Sequence, residues 1–404
     1  MKKSICIIIL MAFIFMCLIP NSILAASPPA KLLRGDGTLV GDYASVQAAI
    51  DAVTVTAGDS FIVEVAEGTV TDPLNIIQQP NKSVVVRPEA GAEVIFTNTI
   101  FIDGNGNFNG PETLLIEGFI FDFSSGVIAD CISFVVIPPN VGMSYPHNIT
   151  INGCTFTGVF DTTVAVQSVP GGSRNIAITN CTATNMHSLA QLKAVSGYAF
   201  IQNCVVSNSA GGVNFYGTGN LIVDSCNFEV EGYAVRSGQG AGAIQNVGSV
   251  LINNSILNSN STVGTVVLRG DSTSNINIVH SNLTNGGGPV IQNLNGASID
   301  DYNITISESN LTGDITGINP ITVYVIDDPN VVNGPICIIN ESNGNMLVTI
   351  LVLSLFVLLA AIVVCLLCRP NSCGKKDDCK KDDSKKDDCK KGKGNKGKHK
   401  SFAK

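Results

Sequence analysis

Asn148–Phe156 reads NITINGCTF, and close copies follow it along the chain. They are NIAITNCTA from Asn175, YAFIQNCVV from Tyr198, NLIVDSCNF from Asn220, SVLINNSIL from Ser249, NINIVHSNL from Asn275 and NITISESNL from Asn303. An earlier version, TLLIEGFIF from Thr113, carries Phe119 where the later ones have Cys or Ser. Successive starts from Asn148 onward lie 22 to 29 residues apart. Self-similarity at that period is the mark of stacked structural repeats.

Alternation within each unit gives the local structure. Ile149 and Ile151 flank one polar residue, a period of two, and Cys154 and Phe156 alternate again after Asn152-Gly153. That pattern predicts two short strands separated by a corner. A further apolar strand follows in most units: Val164-Ala165-Val166, Val213-Asn214-Phe215, Ala234-Val235, Val266-Val267-Leu268, Val290-Ile291 and Ile321-Thr322-Val323. Gly and Asn occupy the corners, where a positive φ costs them little. No long 3.6-residue period appears between Phe61 and Asn340, which disfavours helical solenoids. A propeller blade needs four antiparallel strands and a longer repeat. The expected fold is all-β, a right-handed parallel β-helix whose windings pair at about 4.8 Å.

An open solenoid has raw ends that invite pairing with other chains. YASVQAAIDAV, Tyr43 to Val53, places Val46, Ala49, Ile50 and Val53 at helical spacing. A short amphipathic helix there is expected to cap the first winding.

The two termini point to a membrane. Met1-Lys2-Lys3, an apolar run from Ile5 to Ile19 and the small residues Ala25-Ala26 make the three-part layout of a secretory signal peptide over 1–26. Met346 to Cys368 holds no charged residue and is long enough to span a bilayer core of roughly 30 Å as a helix. Basic residues crowd its C-terminal flank, so the tail is expected to be cytoplasmic and the body extracellular. The organisation is therefore signal peptide 1–26, β-helix 27–326, linker 327–345, one C-terminal transmembrane helix 346–368 and a basic low-complexity tail 369–404.

Charge divides along the same lines. The tail from Arg369 carries 14 basic and 6 acidic residues, and the leader contributes Lys2 and Lys3. With the whole chain at −8, the body stands at −18. A body that acidic cannot neutralise a phosphate backbone, which argues against nucleic acid as a partner.

Arginine marks the best candidate binding patch. Aligning Ala234-Val235-Arg236-Ser237 with Val267-Leu268-Arg269-Gly270 puts Arg236 beside Arg269. Gln167, Tyr216 and Gln292 take the same place in other windings. These residues are expected to form an outward column able to fork onto a carboxylate sugar. The plainer reading pairs each arginine with a nearby acid such as Asp271 or Glu231. Glu229 and Glu231, two apart, and the adjacent pairs Asp300-Asp301 and Asp327-Asp328 are paired carboxylates of the kind glycosidases use. Solvated acids are far commoner than catalytic ones, so no catalytic residue is assigned. His147, His187 and His280 show no metal-ligand spacing, and neither a metal nor a cofactor is expected. Cys154, Cys181, Cys204 and Cys226 share one repeat position and should stack. Neighbouring windings are close enough for disulfides, although Phe119, Ser255 and Ser281 at the same position fit packing better.

YASVQAAIDAV, then GDSFIVEVAEGTV and KSVVVRPEAG, followed by the NITINGC-type units, resembles the pectin-lyase-like right-handed β-helix superfamily over roughly Asp42 to Val325. The resemblance implies the fold. It carries little about function, because one solenoid hosts lyases, hydrolases, esterases and adhesins. Its polygalacturonase-like members imply an Asn-Thr-Asp strand, a Gly-His-Gly and an Arg-Ile-Lys, and its methylesterase-like members a Gln-Asp-Thr and a Gly-Arg-Pro-Trp; none of these occurs here. The expectation is a single-pass, membrane-anchored surface module that adheres to or binds a glycan or acidic polysaccharide without turning it over. The alternatives are a tethered polysaccharide lyase, hydrolase or esterase with a divergent site, and a structural spacer.

Overall fold

The computed structural model describes residues 27–76, 82–103, 112–126, 130–135, 148–168, 175–193, 195, 197–217, 219–238, 248–268, 275–294, 303–316, 323–326 and 338–339. The expected signal peptide, transmembrane helix and tail lie outside them, as do Arg269, Asp300-Asp301 and Asp327-Asp328. Among the described residues, no helix is long and apolar enough to cross a membrane.

Three long sheets of 13, 10 and 11 strands run side by side. The chain visits them in turn. Asn175–Thr179 lies in sheet 1, Thr182–Thr184 in sheet 2 and Ser188–Lys193 in sheet 3, and Tyr198–Gln202 returns to sheet 1 one winding on. Pairing is parallel throughout, except for Ala30–Arg34, which pairs antiparallel with Leu39–Tyr43 and with Ser60–Val65. This is an all-β parallel solenoid. A two-residue strand, Ile338–Ile339, adds to sheet 3 beyond the expected end at 326.

The repeat units stack as their sequence requires. Ile149 stands opposite Ile176, and the row continues through Ala199, Leu221, Val250, Ile276 and Ile304. The alternate residues of each unit point inward and are buried. Each such aliphatic side chain contributes about 1.5–3 kcal/mol by leaving water. In the early windings phenylalanines fill the axis: Phe121 stacks on Phe96 at 5.3 Å and on Phe156 at 4.9 Å between centroids.

The corner between sheets 1 and 2 turns on one left-handed residue per winding. Asn180 (φ 55), Asn203 (φ 52), Ser225 (φ 54), Asn254 (φ 48), His280 (φ 47) and Glu308 (φ 47) occupy it. The asparagines also tie one winding to the next: Asn180 donates to Asn152 Oδ1 at 2.8 Å, and Asn203 donates to Asn180 Oδ1 at 3.2 Å.

Helix α1, Val46–Val55, buries Val46, Ala49, Ile50 and Val53, the four positions that its sequence spacing marks. Ser45 caps it by accepting from Ala48 N at 3.2 Å. At its other end, the Lys82 ammonium donates to the carbonyls of Val53 (2.5 Å) and Thr56 (2.9 Å), satisfying groups that the helix leaves open.

Candidate functional site

The outward face of sheet 3 carries the candidate site. Successive windings place Ser133, Gln167, Gln191, Asn214, Arg236, Val267 and Gln292 in one outward row. Gln167, Arg236 and Gln292 therefore share a column, as expected. Two placements differ. Arg236 stands opposite Val267, so its in-register partner is not Arg269, which lies outside the described residues. Tyr216 pairs with Lys193, while Asn214 takes the place opposite Arg236. A slip of two residues keeps every side chain on its own face, so inward and outward alternation cannot reveal it.

Tyr216 and Arg236 meet nonetheless, across a diagonal. The Arg236 guanidinium carbon lies 5.8 Å from the Tyr216 ring centroid and 5.5 Å from that of Tyr233. Tyr233 sits just before the strand Val235–Ser237, and its hydroxyl accepts from Asn214 Nδ2. Asn214 is only 2% exposed, although it points away from the axis. Two buried polar atoms here lack a partner: Arg236 Nε and Asn214 Oδ1. Among the described residues Arg236 forms no ion pair, so the plainer pairing with Glu231 does not occur. Unspent donors and acceptors at buried positions are costly, and such groups repay a ligand that satisfies them.

Two windings before Asn214, the Gln167 amide, oriented with its nitrogen toward Asp130, donates to both carboxylate oxygens at 2.7 and 2.6 Å. Burial pushes the Asp130 carboxyl above its ordinary range, against the pull of the Ser133 hydroxyl and the Lys193 charge. The sheet 3 face thus presents Asp130, Lys193 and Arg236 among amides and two tyrosines. Sequence reasoning missed Asn214, Tyr233, Lys193 and Asp130. Only the aromatic three residues before the arginine, in GYAVRSG, offered a signal.

Glu229 and Glu231 lie elsewhere. They are exposed on the rim of a depression of about 280 Å³ lined also by Asn208, Val230, Asn258, Ser259 and Asn260. The depression follows from an irregularity in sheet 2 between Val206 and Ser209, where Asn208 has φ 47. His280 is paired with Glu308 at 2.7 Å. Among the described residues, no three of His, Cys, Asp and Glu converge as a metal site would need.

Comparisons of the chain with protein-family models, with curated proteins and with solved structures find no match in any of the three. The fold defines the class, a parallel β-solenoid, and the site must speak for itself.

Proposed function

We propose that the chain is a membrane-anchored surface solenoid whose outer sheet 3 face binds an anionic glycan, with Arg236 receiving a sugar carboxylate between the rings of Tyr216 and Tyr233. One observation carries this reading. Arg236 is one of eight basic residues in a body of net charge −18, yet its guanidinium lies 5.8 and 5.5 Å from two aromatic rings, with a buried Nε lacking an acceptor. Planar guanidinium groups fork onto carboxylates, and tyrosine rings offer the flat apolar surface on which a sugar ring stacks. The amides of Gln167, Gln191, Asn214 and Gln292 extend the row with hydroxyl-compatible donors and acceptors.

The signal peptide, the transmembrane helix at 346–368, the right-handed winding and the pectin-lyase-like kinship belong to the same reading. They rest on the terminal sequences and on the unit pattern. Binding is favoured over turnover because the carboxylates nearest in sequence to Arg236, Glu229 and Glu231, line the sheet 2 depression.

The body's charge sets the choice of probe. A long polyanion is repelled at range by a −18 surface at low salt, so short oligosaccharides are the right ligands. Calorimetric titration of the full chain with tri-galacturonate is expected to give saturable binding, weakened at least tenfold by Arg236→Gln and absent with a neutral trisaccharide. Equal binding by Arg236→Gln would overturn the assignment of the site. Shortening of the oligosaccharide during the titration would replace binding with catalysis.

A further inference from the structure

The glycan reading makes no use of a second chemical feature, in the corner between sheets 1 and 2. Cys154, Cys181, Cys204 and Cys226 occupy the same interior position of four consecutive windings. The residue after each cysteine donates to the carbonyl of the cysteine one winding earlier: Thr182 N to Cys154 O at 3.0 Å, Val205 N to Cys181 O at 2.9 Å and Asn227 N to Cys204 O at 2.9 Å. All four thiols are free and at most 3% exposed. Cys181 therefore stands one winding from both Cys154 and Cys204, and Cys204 one winding from Cys226.

Serines continue the column, and they behave differently. Ser255, Ser281 and Ser309 accept from the backbone N–H one winding earlier at 3.0–3.1 Å, locking each hydroxyl into the ladder. The thiols instead each lie near two carbonyls, one in the preceding winding at 3.4 to 4.0 Å and one two residues earlier in their own at 3.2 to 3.5 Å. An S–H is a weak donor, so these contacts hold each sulfur more loosely than the serine hydroxyls are held.

We infer that this column is a site of reversible oxidation, in which a small neutral hydroperoxide, one equivalent per bridge, closes two disulfides, Cys154–Cys181 and Cys204–Cys226. The solenoid dictates the pairing. Equivalent atoms of adjacent windings lie about 4.8 Å apart, inside the range that a disulfide spans, whereas two windings, roughly 9.6 Å, exceed it. Four cysteines allow three pairings, and only this one joins neighbours at every bond. A central Cys181–Cys204 bridge strands Cys154 and Cys226 three windings apart.

In the first step a thiolate sulfur attacks one peroxide oxygen, the O–O bond breaks, and the departing oxygen leaves as water, giving a sulfenic acid. The neighbouring thiol sulfur then attacks that sulfur, the S–O bond breaks, and hydroxide leaves as a second water with the thiol proton. Two thiols lose two electrons, and one hydrogen peroxide becomes two waters. The in-register spacing is wide for the Cβ atoms of a disulfide, so the bridges form under tension and are easily reduced.

The test is peroxide titration of the reduced, folded full chain, followed by alkylation in denaturant, trypsin digestion and mass spectrometry. Trypsin cuts after Arg174, Lys193 and Arg236, so the first bridge links two peptides and the second closes within one. Both bridges are expected, reversed by dithiothreitol, with Cys131 still alkylatable as a buried internal control. In Cys181→Ser, Cys154 is expected to stay free while Cys204–Cys226 still closes. The inference is overturned by a dominant Cys181–Cys204 bridge, by any bridge to Cys131 or across two windings, or by four thiols that remain alkylatable.

Discussion

Arg236 faces the ring of Tyr233 at 5.5 Å while that tyrosine's hydroxyl accepts from Asn214, so one side chain serves the cation and the amide behind it. The two roles separate by substitution. Tyr233→Phe keeps the ring over the guanidinium but removes the acceptor of a buried amide, and is expected to lower stability by about 1–3 kcal/mol. Tyr233→Ala removes the ring as well and is expected to weaken uronate binding severalfold beyond the phenylalanine variant. Denaturant melts and calorimetry on the same proteins check both; identical binding by the two variants would deny the ring a role.

The left-handed corner makes a second prediction. Asn180 has φ 55 and ties its winding to Asn152 at 2.8 Å. Asn180→Ala adds a conformational cost of about 1–2 kcal/mol to the lost hydrogen bond. Asn180→Gly loses the bond but relaxes the backbone, so it is expected to fall between wild type and alanine. Urea unfolding midpoints for the three proteins give the order.

Acid should loosen the half-buried polar ladder of sheet 1. Burial pushes the Asp224 carboxyl upward, but hydrogen bonds from Gln202 (2.9 Å), Asn253 (2.8 Å), Asn254 and Ser225 outweigh it and hold the pKa below the ordinary aspartate value. A carboxyl depressed in the folded state contributes stability that is full above its unfolded pKa and is lost as pH falls through the folded one. Asp130, raised by burial, has the opposite sign: its contribution falls as pH rises from its unfolded pKa to its folded one. Stability measured from pH 2 to 7 should therefore decline less steeply toward acid in Asp224→Asn and more steeply in Asp130→Asn.

The aromatic axis of the early windings is the most sensitive point of the core. Phe121 is fully buried between Phe96 and Phe156. Phe121→Ala is expected to cost about 3–5 kcal/mol. Because each winding contacts mainly its neighbours, hydrogen exchange should accelerate around residues 94–157 before it does near residues 275–312. Uniform acceleration along the chain would contradict nearest-neighbour coupling.

Much of this architecture was legible in the sequence. The period of two within each unit shows which residues point inward, and the recurrence of the unit every 22 to 29 residues shows stacking, so Ile149, Ile176 and Leu221 fall in line. Four apolar residues at helical spacing sufficed to place α1. The site was less legible. Register along sheet 3 is ambiguous by two residues from alternation alone, so the sequence pattern aligns Arg236 with Arg269, whereas stacking sets it opposite Val267. Tyr233 and Asn214 carry no motif; they matter only because stacking brings the residue before one strand onto the middle of another. Sequence gave no warning that the polar outward position of Asn214 would be buried.

Stacking itself is open to a direct ruler. Thr155, Ile256, Asn282 and Asn310 are exposed members of one sheet 2 row, with Ile256 four, Asn282 five and Asn310 six windings from Thr155. Spin labels on cysteines placed at Thr155 and at each of the other three, read by pulsed electron double resonance, are expected to give backbone separations of about 19, 24 and 29 Å, a constant step of about 4.8 Å. Distances that fail to grow by one such step per winding would contradict the solenoid, and with it the row on which Arg236 stands.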